Sequence, residues 1–119
     1  MSDYWGYELT LDCKSCDIDK IKDAEYIKKF VKTLVNDIDM VAYGDCQVVD
    51  FGEDPKVSGF SVVQLIETSL ISAHLVNQNG DAYWNIFSCR DYDIEKVISL
   101  TKEWFSPKRV RYAFNTRQA

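Results

Sequence analysis

Three consecutive apolar runs in the middle of the chain constrain its fold more than any other feature. They cover residues 60–66, 70–76 and 82–87, and each is rich in β-branched and aromatic side chains. The last two are separated by Asn-Gln-Asn-Gly-Asp at 77–81, a composition typical of a turn. The sequence therefore predicts consecutive antiparallel strands arranged as a meander.

Further strands are expected on both sides of this meander. Apolar and polar residues alternate through 7–13, which predicts a half-buried strand, and 108–114 alternates again as a last strand. Residues 39–51 also have the composition of a strand, with a potential break at Gly44-Asp45. The polar segment 52–58 predicts a turn.

Two helices complete the pattern. Apolar residues recur at three-and-four spacing between 27 and 38, as expected for a helix that buries one stripe. The same spacing recurs between 94 and 105, where Asp91 or Asp93 can cap the helix and Ser106-Pro107 can end it.

The element order β-α-β-β-β-β-α-β predicts an α+β fold, a two-layer sandwich with a mainly antiparallel sheet and two helices on one face. Because two helices cannot cover both faces of such a sheet, the uncovered face suggests a homodimer. With 119 residues and no repeat or linker, residues 1–119 are expected to form a single domain.

Charge and hydropathy argue against several classes of partner. The formal net charge is −5 and the basic residues are scattered, so nucleic acid is not expected as a ligand. No apolar run is long enough to cross a bilayer, and the first residues, Met1-Ser2-Asp3, do not resemble a signal peptide. We expect a cytoplasmic protein without a membrane partner.

Four cysteines raise the question of a metal site. Zinc would need a second close pair of ligands after Cys13 and Cys16, and the chain has one histidine, His74. We therefore expect no metal, and interpret Cys13, Cys16 and Cys46 as buried or free thiols.

The candidate chemistry lies between Gly59 and Cys89. This region places a hydroxyl at a strand junction (Ser69), the imidazole of His74 and the thiol of Cys89 at a strand end, residue types that can support acyl chemistry. The alternative is structural: Ser69 and Ser72 as turn or strand hydroxyls, His74 as a half-buried strand residue and Cys89 as core.

Several motifs carry a resemblance to a known family. They are Cys16-Asp17 before a helix, the strand Gly59-Phe60-Ser61, a serine followed five residues later by His74, the strand end Phe87-Ser88-Cys89, and Lys108-Arg109-Val110. With these motifs in register, the chain from about Tyr7 to Phe114 resembles the small prokaryotic S-adenosylmethionine decarboxylases, a pyruvoyl-dependent family.

The resemblance implies that the chain makes its own cofactor. Ser69 would attack the carbonyl of Thr68, and the resulting ester would eliminate and hydrolyse to leave a pyruvoyl group at residue 69. His74 would be the proton carrier of this autocatalytic processing. The pyruvoyl ketone would then form a Schiff base with S-adenosylmethionine, and Cys89 would return a proton to the substrate after decarboxylation. The product would be the aminopropyl donor for polyamine synthesis.

The resemblance also implies local geometry at the processing bond. Backbone strain at Thr68-Ser69 and a hydrogen-bond donor near the Thr68 oxygen would promote the attack. Residues five apart in one unbroken strand point to opposite faces, so a bend at 67–70 is expected if His74 is to reach Ser69.

Two departures from the family pattern keep alternatives open. The family has Glu directly before the serine, where this chain has Thr68, and it continues Thr-Trp-Pro-Glu after the histidine, where this chain has Leu-Val-Asn-Gln at 75–78. The same chemistry could therefore act on another cationic amino acid, arginine or ornithine. The second alternative is a non-processing homologue that binds only S-adenosylmethionine or a partner subunit.

Overall fold

A computed structural model describes residues 4–119 as one six-stranded sheet with helices on one face. The sheet is antiparallel, with the strand order β2-β3-β4-β5-β1-β6. The elements in chain order are β1 (Gly6–Lys14), α1 (Ile18–Ile21), α2 (Ala24–Asp37), β2 (Gln47–Phe51), β3 (Gly59–Ile66), β4 (Ser69–Val76), β5 (Ala82–Ser88), α3 (Ile94–Phe105) and β6 (Arg109–Arg117). This confirms the predicted α+β class, the meander and the antiparallel sheet.

The core lies between the sheet and the two long helices. Strand alternation sends one set of side chains toward the helices, and Leu9, Ile71 and Ile86 on neighbouring strands are fully buried there. Phe30 of α2 packs against Trp84 and Phe105 with ring centroids 5.0 and 4.9 Å apart. These aromatic contacts join both helices to the centre of the sheet.

Aspartate side chains begin both long helices. Asp23 accepts a hydrogen bond from the backbone N–H of Tyr26, and Asp93 accepts one from that of Lys96, which satisfies N–H groups left free at a helix start. Helix α3 ends at Ser106, which has a left-handed φ of 49° and directly precedes Pro107. Of the two predicted caps, Asp91 and Asp93, Asp93 is the one that caps α3, and the predicted stop at Ser106-Pro107 is confirmed.

The predicted strand over 39–51 is wrong for its first eight residues. Only Gln47–Phe51 is strand, and the preceding segment is a loop that touches the sheet through an isolated bridge between Ala42 and Ile66. Left-handed backbone at Asp39 and Gly44, with φ of 57° and 75°, turns the chain out of an extended path. The structure also adds the four-residue helix α1, which the sequence pattern did not predict.

Gly59 starts β3 at a point where two backbones come close together. A Cβ atom at this position would collide with the carbonyl oxygen of Leu75 on β4. Gly59 therefore allows β3 and β4 to stay paired as far as Val76.

In residues 4–119, no helix combines the length and the apolar character that crossing a bilayer would need.

The aromatic centre of the core predicts where the fold is most sensitive to truncation. Phe30 is 0% exposed, so Phe30→Ala should lower the free energy of unfolding by about 3–5 kcal/mol in urea titrations. Tyr43→Ala, at a side chain 69% exposed, is the control and should change it by less than about 0.5 kcal/mol. Equal losses in the two variants would contradict this description of the core.

Candidate active site

The turn between β3 and β4 presents the Thr68-Ser69 peptide at one end of the sheet. Ile66 pairs with Ser69, so Glu67 and Thr68 form a two-residue hairpin loop. Ser69 also pairs with Ser88 on β5, and the next pair in this register is Thr68 with Cys89. The Cys89 backbone N–H accordingly donates a hydrogen bond of 3.0 Å to the Thr68 carbonyl oxygen. A donor is thus in place on the carbonyl that Ser69 would attack.

The Ser69 hydroxyl lies on the helix-covered side of the sheet and is part-buried. Its Oγ donates to Met40 Sδ at 3.1 Å and lies 3.2 Å from Thr68 Oγ1. Ser88, its fully buried neighbour on β5, accepts a hydrogen bond from the backbone N–H of Arg90. The Ser69 hydroxyl is therefore held between the Met40 thioether and the Thr68 hydroxyl.

The loop that carries Met40 is fixed against the end of the hairpin by backbone contacts. Tyr43 N–H donates to the Leu65 carbonyl at 2.8 Å, and Glu67 N–H donates to the Val41 carbonyl at 3.1 Å. On the other side, Arg90 Nη1 donates to the Asp39 carbonyl at 2.9 Å. These three bonds hold the thioether over Ser69.

The bend expected at 67–70 is absent. Strand β4 is continuous from Ser69 to Val76, so Ser69 and His74 point to opposite faces. At about 3.4 Å per residue, five residues also place them about 17 Å apart along the strand. The structure therefore brings Ser69, Thr68 and Cys89 together and leaves His74 on the helix-free face. Neither Thr68 nor Ser69 has a positive φ.

His74 forms a separate pair with Ser61 on β3. Ser61 Oγ lies 3.1 Å from His74 Nδ1, and His74 Nε2 lies 3.2 Å from the carbonyl oxygen of Val57. A carbonyl oxygen can only accept, so in the neutral ring Nε2 carries the proton. Nδ1 then accepts from the Ser61 hydroxyl.

Ser61 and Met40 were not identified as site residues from the sequence. Ser61 pairs with His74 once the turn at Glu67-Thr68 has set the register, so a signal for this contact was present in the sequence. Met40 comes from a loop whose path depends on tertiary contacts, and no local signal pointed to it.

Two cavities adjoin these groups. One of about 940 Å³ lies between α2 and the 40–46 loop and includes Met40 in its lining. Another of about 370 Å³ lies at His74 on the helix-free face. Both fall within the range of small-molecule sites, so volume alone does not select between them. Within the described residues, no three His, Cys, Asp or Glu side chains are grouped as metal ligands would be.

The His74 contacts predict one tautomer of the neutral ring. The chain has a single histidine, so a long-range ¹H–¹⁵N NMR spectrum reports on it without ambiguity. We expect Nε2 to be protonated and Nδ1 to have the shift of an acceptor, with Ser61→Ala altering the Nδ1 resonance. A proton on Nδ1 in the neutral ring would contradict these contacts.

The amino-acid sequence is similar to curated proteins that share one name. An S-adenosylmethionine decarboxylase proenzyme from Clostridium botulinum strain Langeland is 28% identical over 108 residues, which are 90% of this chain and 89% of that protein. The proenzyme of strain Loch Maree is 26% identical over 101 residues, covering 84% and 83% of the two chains.

The fold is shared with a solved structure, the adenosylmethionine decarboxylase from Aquifex aeolicus VF5. The two superpose with a TM-score of 0.83 at 20% identity, covering 99% of this chain and 94% of that one. The sequence profile described as S-adenosylmethionine decarboxylase matches residues 7–118. This match spans nearly the whole chain and includes the Thr68-Ser69 hairpin and Cys89, so the chain belongs to the S-adenosylmethionine decarboxylase family.

Proposed function

We propose that the chain is a proenzyme that cleaves itself between Thr68 and Ser69 and then decarboxylates S-adenosylmethionine. Family membership supports this function over arginine or ornithine decarboxylation and over a non-processing homologue. The observation that carries the proposal is the hydrogen bond from Cys89 N–H to the Thr68 carbonyl, next to the Ser69 hydroxyl.

The backbone N–H of Cys89 supports the first step. When Ser69 Oγ adds to the Thr68 carbonyl carbon, negative charge develops on the oxygen that already accepts from Cys89 at 3.0 Å. A donor placed before the reaction stabilises this charge without reorganisation. The C–N bond then breaks, the former Ser69 nitrogen takes a proton, and an ester joins Thr68 to the Ser69 side chain.

The later steps of processing release the two chains. Loss of the Ser69 α-proton expels the Thr68 carboxylate, and hydrolysis of the resulting enamine through its imine releases ammonia and leaves a pyruvoyl group on residue 69. This group supplies the electron-withdrawing carbonyl that decarboxylation needs. The residues fit the group, because residue 69 would become a chain start at a hairpin beside the exposed Cys89.

Cys89 is the proposed proton donor of the decarboxylation. It directly follows β5 and is exposed, and its backbone N–H already donates a hydrogen bond to the Thr68 carbonyl at the start of the neighbouring β4. A thiol at this position can deliver a proton to the substrate α-carbon.

His74 is the proposed proton carrier of processing, and its location links this role to assembly. One chain holds His74 on the helix-free face, about 17 Å along β4 from Ser69. For this role, a second copy packed on that face would have to place its own His74 at the processing bond. The role therefore rests on the formation of a homodimer.

A homodimer through the helix-free face is part of the proposal. This face carries large exposed apolar side chains on four adjacent strands: Val49, Phe51, Val63, Leu65, Leu70 and Tyr83. A sheet face of this composition is typical of a protein–protein contact.

We place the protein in the cytoplasm. All four cysteines are free in the structure, including the exposed Cys89, and free thiols are typical of a reducing compartment.

Self-cleavage is tested by the intact mass of freshly purified protein during incubation. We expect the 13.8 kDa chain to convert into fragments 1–68 and 69–119, with the second fragment blocked at its N-terminus and reactive toward a carbonyl reagent. Ser69→Ala should stay intact because it lacks the nucleophile. A wild-type chain that stays intact would contradict the proposal.

The role of the Cys89 N–H is tested by a matched pair of variants. Cys89→Pro removes the N–H and should slow cleavage by about 10²–10³-fold, as for loss of one oxyanion donor. Cys89→Ser keeps the N–H and should cleave at a rate close to that of the wild type. Circular dichroism checks that both variants are folded, and equal cleavage rates in two folded variants would exclude the N–H from this step.

The substrate is tested by carbon dioxide release from S-adenosylmethionine, arginine and ornithine. We expect release from S-adenosylmethionine, none from Ser69→Ala, and reduced release from the cleaved Cys89→Ser variant because it lacks the thiol. Release from arginine or ornithine alone would support the alternative substrate, and inactivity of cleaved wild type on all three would count against both enzyme hypotheses.

The homodimer predicts the effect of a charge placed on the helix-free face. Size-exclusion chromatography with light scattering should give the mass of two 13.8 kDa chains for the wild type and of one chain for Val63→Arg. Glu103→Arg, at an exposed position of α3 on the other side of the sheet, is the control and should stay dimeric. A wild type with the mass of one chain would overturn the assembly.

A further inference from the structure

Cys13 and Cys16 lie at the end of β1, outside the candidate active site. Cys13 is 2% exposed and pairs with Ala82 and Val110 on the two neighbouring strands. Cys16 is 7% exposed and lies in the loop that leads to α1. Two residues separate them, the spacing at which two cysteines can form a local disulfide.

The backbone between the two cysteines folds them onto each other. Ser15 has a left-handed φ of 50°, which bends the chain immediately before Cys16. Cys16 Sγ consequently lies 3.9 Å from the carbonyl oxygen of Cys13, which places the two cysteine side chains side by side.

This contact makes the two thiols chemically unequal. The hydrogen bond from Cys16 lowers the pKa of Cys13, although burial and the charge of Asp12 oppose the shift. The same contact and burial raise the pKa of Cys16. Cys13 is therefore the more acidic of the two thiols. A more acidic thiol with a second thiol folded back beside it is an arrangement suited to disulfide formation.

We propose that Cys13 and Cys16 are a redox-active dithiol, converted by hydrogen peroxide into an intramolecular disulfide that a thiol reductant reverses. The Cys13 thiolate attacks a peroxide oxygen, the O–O bond breaks, and Cys13 becomes a sulfenic acid while the released hydroxide takes a proton to form water. The Cys16 sulfur then attacks Cys13, the S–S bond forms and a second water leaves. Two thiols are oxidised by two electrons, and one peroxide is reduced to two waters.

The pair lies where several parts of the chain meet. Cys16 N–H donates to the Gly80 carbonyl at 2.9 Å and Asp17 N–H to that of Phe105 at 2.8 Å, which joins the β4–β5 turn and the end of α3 to this loop. Lys108 N–H donates to the Lys14 carbonyl at 2.8 Å, just before β6. These bonds hold the two cysteines in place in the reduced protein.

The dithiol is far from the processing bond. Along β1, the residue in register with Ser88 at the candidate site is Tyr7, six positions from Cys13 and so about 20 Å away. Disulfide formation can therefore be measured whether or not the chain cleaves itself.

The test is peptide mapping of the wild-type chain after treatment with hydrogen peroxide in native buffer. Remaining thiols are alkylated in denaturant and the protein is digested with trypsin, which cuts after Lys14 between the two cysteines. We expect the peptide ending at Lys14 to be linked to the peptide 15–20, with the loss of two hydrogens, and the link to disappear after dithiothreitol.

Three controls make the result decisive. Cys16→Ser should leave Cys13 as a sulfenic acid that dimedone traps, because the resolving sulfur is absent. Cys46→Ser should form the linked peptides as the wild type does. Oxidation of the exposed Cys89 shows that the oxidant acted on the protein, and its oxidation without any 13–16 link would overturn the proposal. Linkage of Cys13 or Cys16 to Cys46 or Cys89 instead would also overturn it.

Discussion

The antiparallel register across β3, β4 and β5 is the constraint on which the candidate site depends. A two-residue loop sets Ile66 opposite Ser69, and the pairing of Ser69 with Ser88 then carries the Thr68 carbonyl to the Cys89 N–H. Side chains alternate with a period of two, so a slip of one residue would invert the faces of a whole strand. The catalytic proposal is therefore a consequence of strand pairing, and Thr68 and Cys89, 21 positions apart, meet because their strands are neighbours.

Because side chains alternate along β4, the candidate site residues lie on two different faces of the sheet. Ser69 and Met40 meet on the helix-covered side, and the Ser61–His74 pair lies on the helix-free side. A continuous strand cannot place residues five apart on one face. This separation connects the proposed role of the histidine to an exposed apolar surface, so the proposed homodimer would serve the chemistry as well as cover that surface.

Features that depend on neighbouring residues were predicted correctly, and features that depend on distant contacts were not. Hydrophobic alternation predicted the meander, and Asp93 predicted the start of α3, because both signals are local. The strand predicted over 39–46 was wrong. This segment has the composition of a strand, but its path is set by left-handed backbone at Asp39 and by backbone hydrogen bonds to Leu65 and Glu67. The prediction of a bend at 67–70 that brings His74 to Ser69 was wrong, because the chain reverses in a tight turn at 67–68 and β4 is then continuous from Ser69.

The sequence by itself determined the α+β class and the order of the strands along the chain, and it supplied the candidate reactive groups, since these depend on local periodicity and on motifs in register. Tertiary structure alone decided which groups meet. It placed Met40 over Ser69, joined His74 to Ser61, and folded Cys16 back onto Cys13 through the left-handed Ser15. The physical reason is that such contacts depend on strand pairing, loop backbone conformation and the face to which each side chain points. These properties are settled only when distant parts of the chain pack together.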